Sequence, residues 1–195
     1  MSRTCARLLL AALLPIAAHA SVTVIDFENL PDLYFFSAGG QNIGTYYPGL
    51  DFESNVTGLS VSRFGGYSDA AYPPHSGDVA IWDPVDPIMT ITIAVPVESA
   101  GFWYTSYDPL TLEAFDSSNN LLGTAVGAPN TDGTTGTSSF LFLAGGGIQS
   151  ISIQGTPGLY VLDDVTYGDI TVPEPAFVSL AAAGVALICC LKRRA

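Results

Sequence analysis

Apolar and polar residues alternate along this chain in short bursts and do not recur with a helical period. Between Ser21 and Thr171 no stretch keeps helical spacing for three turns, whereas runs of β-branched and aromatic residues return at short intervals. The pattern predicts strands at 22–27 (VTVIDF), 57–63 (TGLSVSR), 79–82 (VAIW), 88–95 (IMTITIAV), 99–105 (SAGFWYT), 111–115 (TLEAF), 121–126 (LLGTAV), 138–143 (SSFLFL), 148–154 (IQSISIQ) and 159–166 (LYVLDDVT). Turn-forming residues fill the gaps, most clearly Asp116-Ser117-Ser118-Asn119-Asn120 and Asn130-Thr131-Asp132-Gly133. Strands this short and this numerous imply an all-β fold, an antiparallel β-sandwich of jelly-roll type. Alternation assigns Ile151 and Ile153 to the core, likewise Ile91, Ile93 and Val95, and pairs Phe140 with Phe142 facing inward. No internal repeat is present, which excludes propellers and solenoids.

Both ends break the strand pattern. Residues 1–20, MSRTCARLLLAALLPIAAHA, place Arg3 and Arg7 before an apolar run and finish on Ala18-His19-Ala20. That is the order of a secretory signal peptide, cut by signal peptidase between Ala20 and Ser21. At the other end Pro173, Glu174 and Pro175 precede sixteen uncharged residues, Ala176 to Leu191, and then Lys192, Arg193 and Arg194. A helix over 176–191 covers about 24 Å, short of a ~30 Å hydrocarbon core but able to span with local thinning and snorkelling of Lys192. A core helix is a poor alternative, because the prolines bar a helical approach and no polar face interrupts the run. The cationic ends stay cytoplasmic during insertion, so the body faces outward. The chain divides into a signal peptide (1–20), a β-sandwich domain (21–168), a linker with the Pro-Glu-Pro triplet (169–175), a transmembrane helix (176–191) and a basic tail (192–195).

Triplet, apolar run and basic cluster, in that order at the C-terminus, resemble the PEP-CTERM sorting signal of Gram-negative bacteria. The resemblance implies an exosortase in the inner membrane that cuts near the triplet and frees the body to the cell surface or extracellular matrix. It gives Pro173, Glu174 and Pro175 the sorting role, and Arg193 and Arg194 the role of retaining the chain during processing. An ordinary single-pass anchor is the alternative. Short phrases of the body, Asp26-Phe27-Glu28, Tyr47-Pro48-Gly49-Leu50-Asp51-Phe52, His75-Ser76-Gly77 and Leu162-Asp163-Asp164-Val165, also resemble an exported jelly-roll type that precedes such tails. That likeness implies a sandwich similar to carbohydrate-binding modules, whose first and last strands can share a calcium ion.

Removing the ends sharpens the charge. Of six Lys and Arg residues five lie in the termini, leaving Arg63, while seventeen of eighteen acids lie between Asp26 and Asp169, so the body carries −16. Such a surface repels nucleic acid, which is excluded as a partner. Cys5, Cys189 and Cys190 all fall in the termini, so the body has neither disulfides nor thiolate chemistry.

Three constellations remain. Glu28 and Asp164, with Asp26, lie on the first and last strands. In a body with one cation, they are either calcium ligands or solvated surface acids. Adjacent strand residues face opposite ways, so only one of Asp163 and Asp164 is expected inward. Aromatic residues are the second group. Tyr46, Tyr47 and Tyr72, in loops, are expected to be exposed and to offer stacking faces to extracellular polysaccharide, while Phe102-Trp103-Tyr104 is expected in the core. Catalysis is the third. His75 and Ser76 are neighbours and cannot face each other as base and nucleophile, and no G-x-S-x-G elbow occurs. A glycosidase pair could be drawn from Glu28, Glu53, Glu98 and Glu113, yet seventeen acids make some pair inevitable. The leading expectation is a non-catalytic, exported matrix protein. A surface glycosidase and a purely structural coat protein are the rivals.

Overall fold

The structure is a computed structural model that describes residues 21–36, 41–63 and 70–169. The expected signal peptide up to Ala20, the Pro173-Glu174-Pro175 triplet, the helix over 176–191, and Arg193 and Arg194 lie outside the described residues. Among the described residues no helix is long and apolar enough to cross a membrane.

Nine strands appear among the described residues: β1 (Ser21–Ile25), β2 (Leu50–Phe52), β3 (Thr57–Ser60), β4 (Val79–Trp82), β5 (Ile88–Ser106), β6 (Leu110–Phe115), β7 (Leu121–Gly127), β8 (Ser139–Gln154) and β9 (Tyr160–Asp169). They hydrogen-bond in the order β3-β4-β9-β5-β8-β6-β7, with β1 joined to β9 and β2 to β5. Every pair with a defined register is antiparallel. The all-β antiparallel expectation is met, and the first and last strands lie side by side as expected.

Two pairs of predicted strands prove to be single long ones. β5 joins 88–95 to 99–105, and β8 joins 138–143 to 148–154. Their first and second halves serve different leaves of the sandwich. Ile88 to Thr92 pairs with Ser150 to Gln154 beside β2 and β6, whereas Ser99 to Tyr104 pairs with Ser139 to Ala144 beside β9. Register shifts between Thr92 and Ser99 mark the corner. On β8 the corner falls at Gly146 and Gly147, whose φ values of 55° and 79° only glycine adopts without strain. Bends and bulges of this kind let one strand pass between packed sheets.

Residues from both leaves meet in one core, including Ile91, Leu112 and Ile153 from one and Ile81, Phe102 and Leu162 from the other. All six are fully buried. Burying side chains of this size stabilises by about 1.5–3 kcal/mol each. Ile91, Ile93, Ile151 and Ile153 point inward as alternation predicts, but Val95, at the corner, is 70% exposed. Leu141 keeps the inward phase of Ile151 and Ile153 across the corner of β8, so it is buried while Phe140 and Phe142 face solvent. The inward assignment of the two phenylalanines is thereby corrected.

Candidate site on the outer sheet face

The register of three neighbouring strands builds the site. Trp103 on β5 lies opposite Phe140 on β8 and Asp163 on β9, and Gly101 lies opposite Phe142 and Thr166. Directly opposed residues of an antiparallel pair share a face. Phe102, Tyr104 and Leu141 turn into the core, so Trp103, Phe140 and Phe142 turn out. Phe140 is 44% exposed and Phe142 36%, and Trp103 is half-buried. The Phe140 and Phe142 rings stack at 5.9 Å, and Trp103 stands 5.4 Å from Phe140. Close strand approach here requires Gly101, because a Cβ at that position would lie 2.6 Å from the Leu141 carbonyl oxygen and 3.0 Å from the Phe142 Cα, both backbone atoms.

His75 completes the row. Its ring lies 3.5 Å above Trp103 with an interplanar angle of 10°. Its Nδ1 is 2.6 Å from the Asp164 carboxylate, and its side chain is one-third exposed. The segment that carries it is fastened at several points. Ser76 donates its N–H to Asp163 (2.8 Å) and its hydroxyl to Asp164 (3.0 Å). Thr105 donates to the Pro73 carbonyl, and Asp78 and Val79 donate their N–H groups to one oxygen of Glu28. Gly77, with φ 54°, packs so tightly on the Glu28 carboxylate that no side chain fits there. The His75-Ser76-Gly77 phrase is thus a docking turn.

Both Asp163 and Asp164 are buried, although alternation allowed only one. Asp164 has φ 45°, in the left-handed region, and a register shift between Gly101 and Trp103 places a bulge here. Asp163 accepts the Asp164 N–H as well as that of Ser76. Burial pushes the Asp163 carboxyl up to about 7, opposed by the Ser76 N–H and reinforced by the Asp164 charge.

The expected calcium ligands are engaged otherwise. One Glu28 oxygen accepts two backbone amides, both Asp164 oxygens face His75 and Ser76, and Asp26, exposed, accepts the Glu28 N–H. Among the described residues no group of three or more His, Cys, Asp or Glu side chains is placed to hold a metal ion. Glu28 and Asp164 are thus held by protein donors and not gathered with Asp26 into one carboxylate cluster.

The loop tyrosines offer no continuous stacking face. Tyr47 is buried, donates to Asn29 Oδ1 at 2.8 Å, and burial pushes its phenol far up. Tyr46 is half-buried and donates to the Asn29 carbonyl, while half-buried Tyr72 packs on a small cluster of Leu59, Ala80 and Val161. Of the acids considered for glycoside cleavage, Glu53 accepts the Thr90 N–H and Glu113 accepts from Gln154. A depression of about 280 Å³ beside β2 has Asp51 as its one carboxylate, so no acid pair faces it.

No protein-family model and no curated protein matches the chain. Solved structures similar to it include the adhesin domain of Lys-gingipain from Porphyromonas gingivalis, at 12% identity, covering 76% of this chain and 98% of that one, TM-score 0.45. A DUF4465 family protein from Bacteroides caccae is similar at 14% identity, 75% and 98% coverage and TM-score 0.45. A carbohydrate-binding module from Clostridium stercorarium in complex with cellobiose is similar at 14% identity, 75% and 93% coverage and TM-score 0.42.

Proposed function

We propose that this chain is an exported surface or extracellular-matrix protein whose non-catalytic β-sandwich binds extracellular polysaccharide along the ring row of Trp103, Phe140 and Phe142. The exposure of Phe140 and Phe142, stacked beside Trp103 on one sheet face, is the observation that carries the reading. Aromatic rings left in water lose hydrophobic stabilisation, and a contiguous row of them on a folded surface marks a binding face. The apolar C–H face of a pyranose stacks on such rings, with polar neighbours taking the hydroxyls. Export and sorting rest on the sequence alone, on the order of the signal peptide, Pro173-Glu174-Pro175, the apolar run and the basic cluster. An exosortase would release the body after a transient stay in the inner membrane.

Affinity of the purified protein for its host's matrix polysaccharide tests the binding reading. The Phe140→Ala/Phe142→Ala double variant stays folded with a modest fall in melting temperature, since both rings are partly exposed, and loses binding. If the double variant binds as well as the wild type, the row is not the binding face. If neither protein binds, a structural coat role replaces the ligand-binding one.

A further inference from the structure

Resting on that reading of the ring row, we infer that the ligand is an uncharged glycan and that His75 hydrogen-bonds one of its hydroxyls through Nε2. The charge argument comes first. Arg63 is the one Lys or Arg between Ser21 and Asp169. It is committed elsewhere: Nη1 donates to the Leu30 carbonyl at 2.7 Å, the guanidinium lies 5.1 Å above the Phe35 ring, and Asp32 stands 3.9 Å away. No Lys or Arg side chain is therefore left to neutralise a uronate or a sulfate, and the body's −16 charge opposes the approach of a polyanion.

The second argument is the way His75 is held. Its plane is set by the stack on Trp103 and its tilt by the 2.6 Å contact of Nδ1 with Asp164. Asp164 is in turn fixed by the Ser76 hydroxyl. With Nδ1 engaged by the Asp164 carboxylate, Nε2 is the ring nitrogen left to hydrogen-bond a ligand. Nε2 makes no hydrogen bond among the described residues, and the side chain is one-third exposed. A polar atom of fixed direction at the end of a row of apolar rings matches a sugar chain: ring faces lie along the row and one hydroxyl reaches the nitrogen. Preorganisation by two neighbours lowers the ordering cost of that contact.

The experiment measures affinity of the purified protein for a panel of soluble uncharged glycans and of polyuronates, with wild type, Phe140→Ala/Phe142→Ala, His75→Ala and His75→Phe. The phenylalanine variant keeps a ring over Trp103 without the nitrogen, so it separates the hydrogen bond from the fit of the docking turn. Expected are binding to one or more uncharged glycans and none to polyuronates. Both His75 variants should bind about five- to tenfold more weakly, the worth of one hydrogen bond. Wild-type affinity in His75→Phe overturns the role of His75. Binding of a polyuronate as tight as that of any uncharged glycan overturns the ligand class while leaving the ring row standing if the double variant loses it. Absence of binding to every glycan overturns the underlying reading of the row itself.

Discussion

Replacing Asp163 by Asn should remove a large part of the pH dependence of folding. The Asp163 carboxyl is held at about 7 in the folded chain, against an ordinary value of 3.8, chiefly by burial. Below 3.8 the group is protonated whether or not the chain is folded, and its contribution to stability is complete. As pH rises from there to 7, the folded chain keeps a proton that the unfolded chain has released, so stability falls with pH and levels off above 7. A gap of about three pKa units corresponds to roughly 4 kcal/mol across the window. Asn cannot titrate, so the variant lacks this term. It also leaves one of the Ser76 and Asp164 amides without its acceptor, a constant cost of about 1–3 kcal/mol that does not depend on pH. Urea unfolding of both proteins at several points from about pH 4 to pH 8 isolates the term. The other acids contribute the same slope to each, and the difference should close by several kcal/mol as pH rises. Parallel curves for the two proteins would refute the assignment of the perturbed proton to Asp163.

The remaining predictions concern packing, metal and sorting. Phe102→Ala, at a fully buried ring, should cost about 3–5 kcal/mol in urea melts, whereas Phe140→Ala, on the solvent face of the neighbouring strand, should cost clearly less, about 1 kcal/mol. Adding a chelator should leave the melting temperature unchanged, because Glu28 and Asp164 are satisfied by protein donors; a fall would reveal a metal bound to the folded form. Glu174→Ala in the host should raise the mass of the released protein or keep it in the membrane fraction, and an unchanged mass in the medium would sink the sorting reading.

Strand positions were legible because β-branched and aromatic residues mark them, and eight of the nine strands fall on predicted runs. β2 escaped notice as three residues, Leu-Asp-Phe, behind a Pro-Gly turn. The breaks expected near 96–98 and 144–147 are corners through which the same strands continue, and sequence does not separate a corner from a turn when both carry Pro or Gly. The face of Phe140 and Phe142 was ambiguous for a related reason. In Phe140-Leu141-Phe142-Leu143 every position is apolar, so alternation within the run has two solutions. A hint lay in Gly101, whose missing side chain faces Phe142 across the ladder. The Asp163-Asp164 pair defeated alternation because a bulge and a left-handed residue turn both side chains to the docked segment. His75 stood out only within the phrase His75-Ser76-Gly77, and its partners Trp103 and Asp164 lie far along the chain.

The place of β9 in the sheet sets a timetable. This last strand is bordered by β5, β4 and β1, so the leaf that carries the ring row lacks its middle until the chain has been delivered as far as Asp169. Pairings that span most of a sequence form late and slowly, because a long loop must be ordered before any contact rewards it. Until then the edges of β1, β4 and β5 that face β9 stay unpaired, and open strand edges are what a half-formed sheet offers to its neighbours.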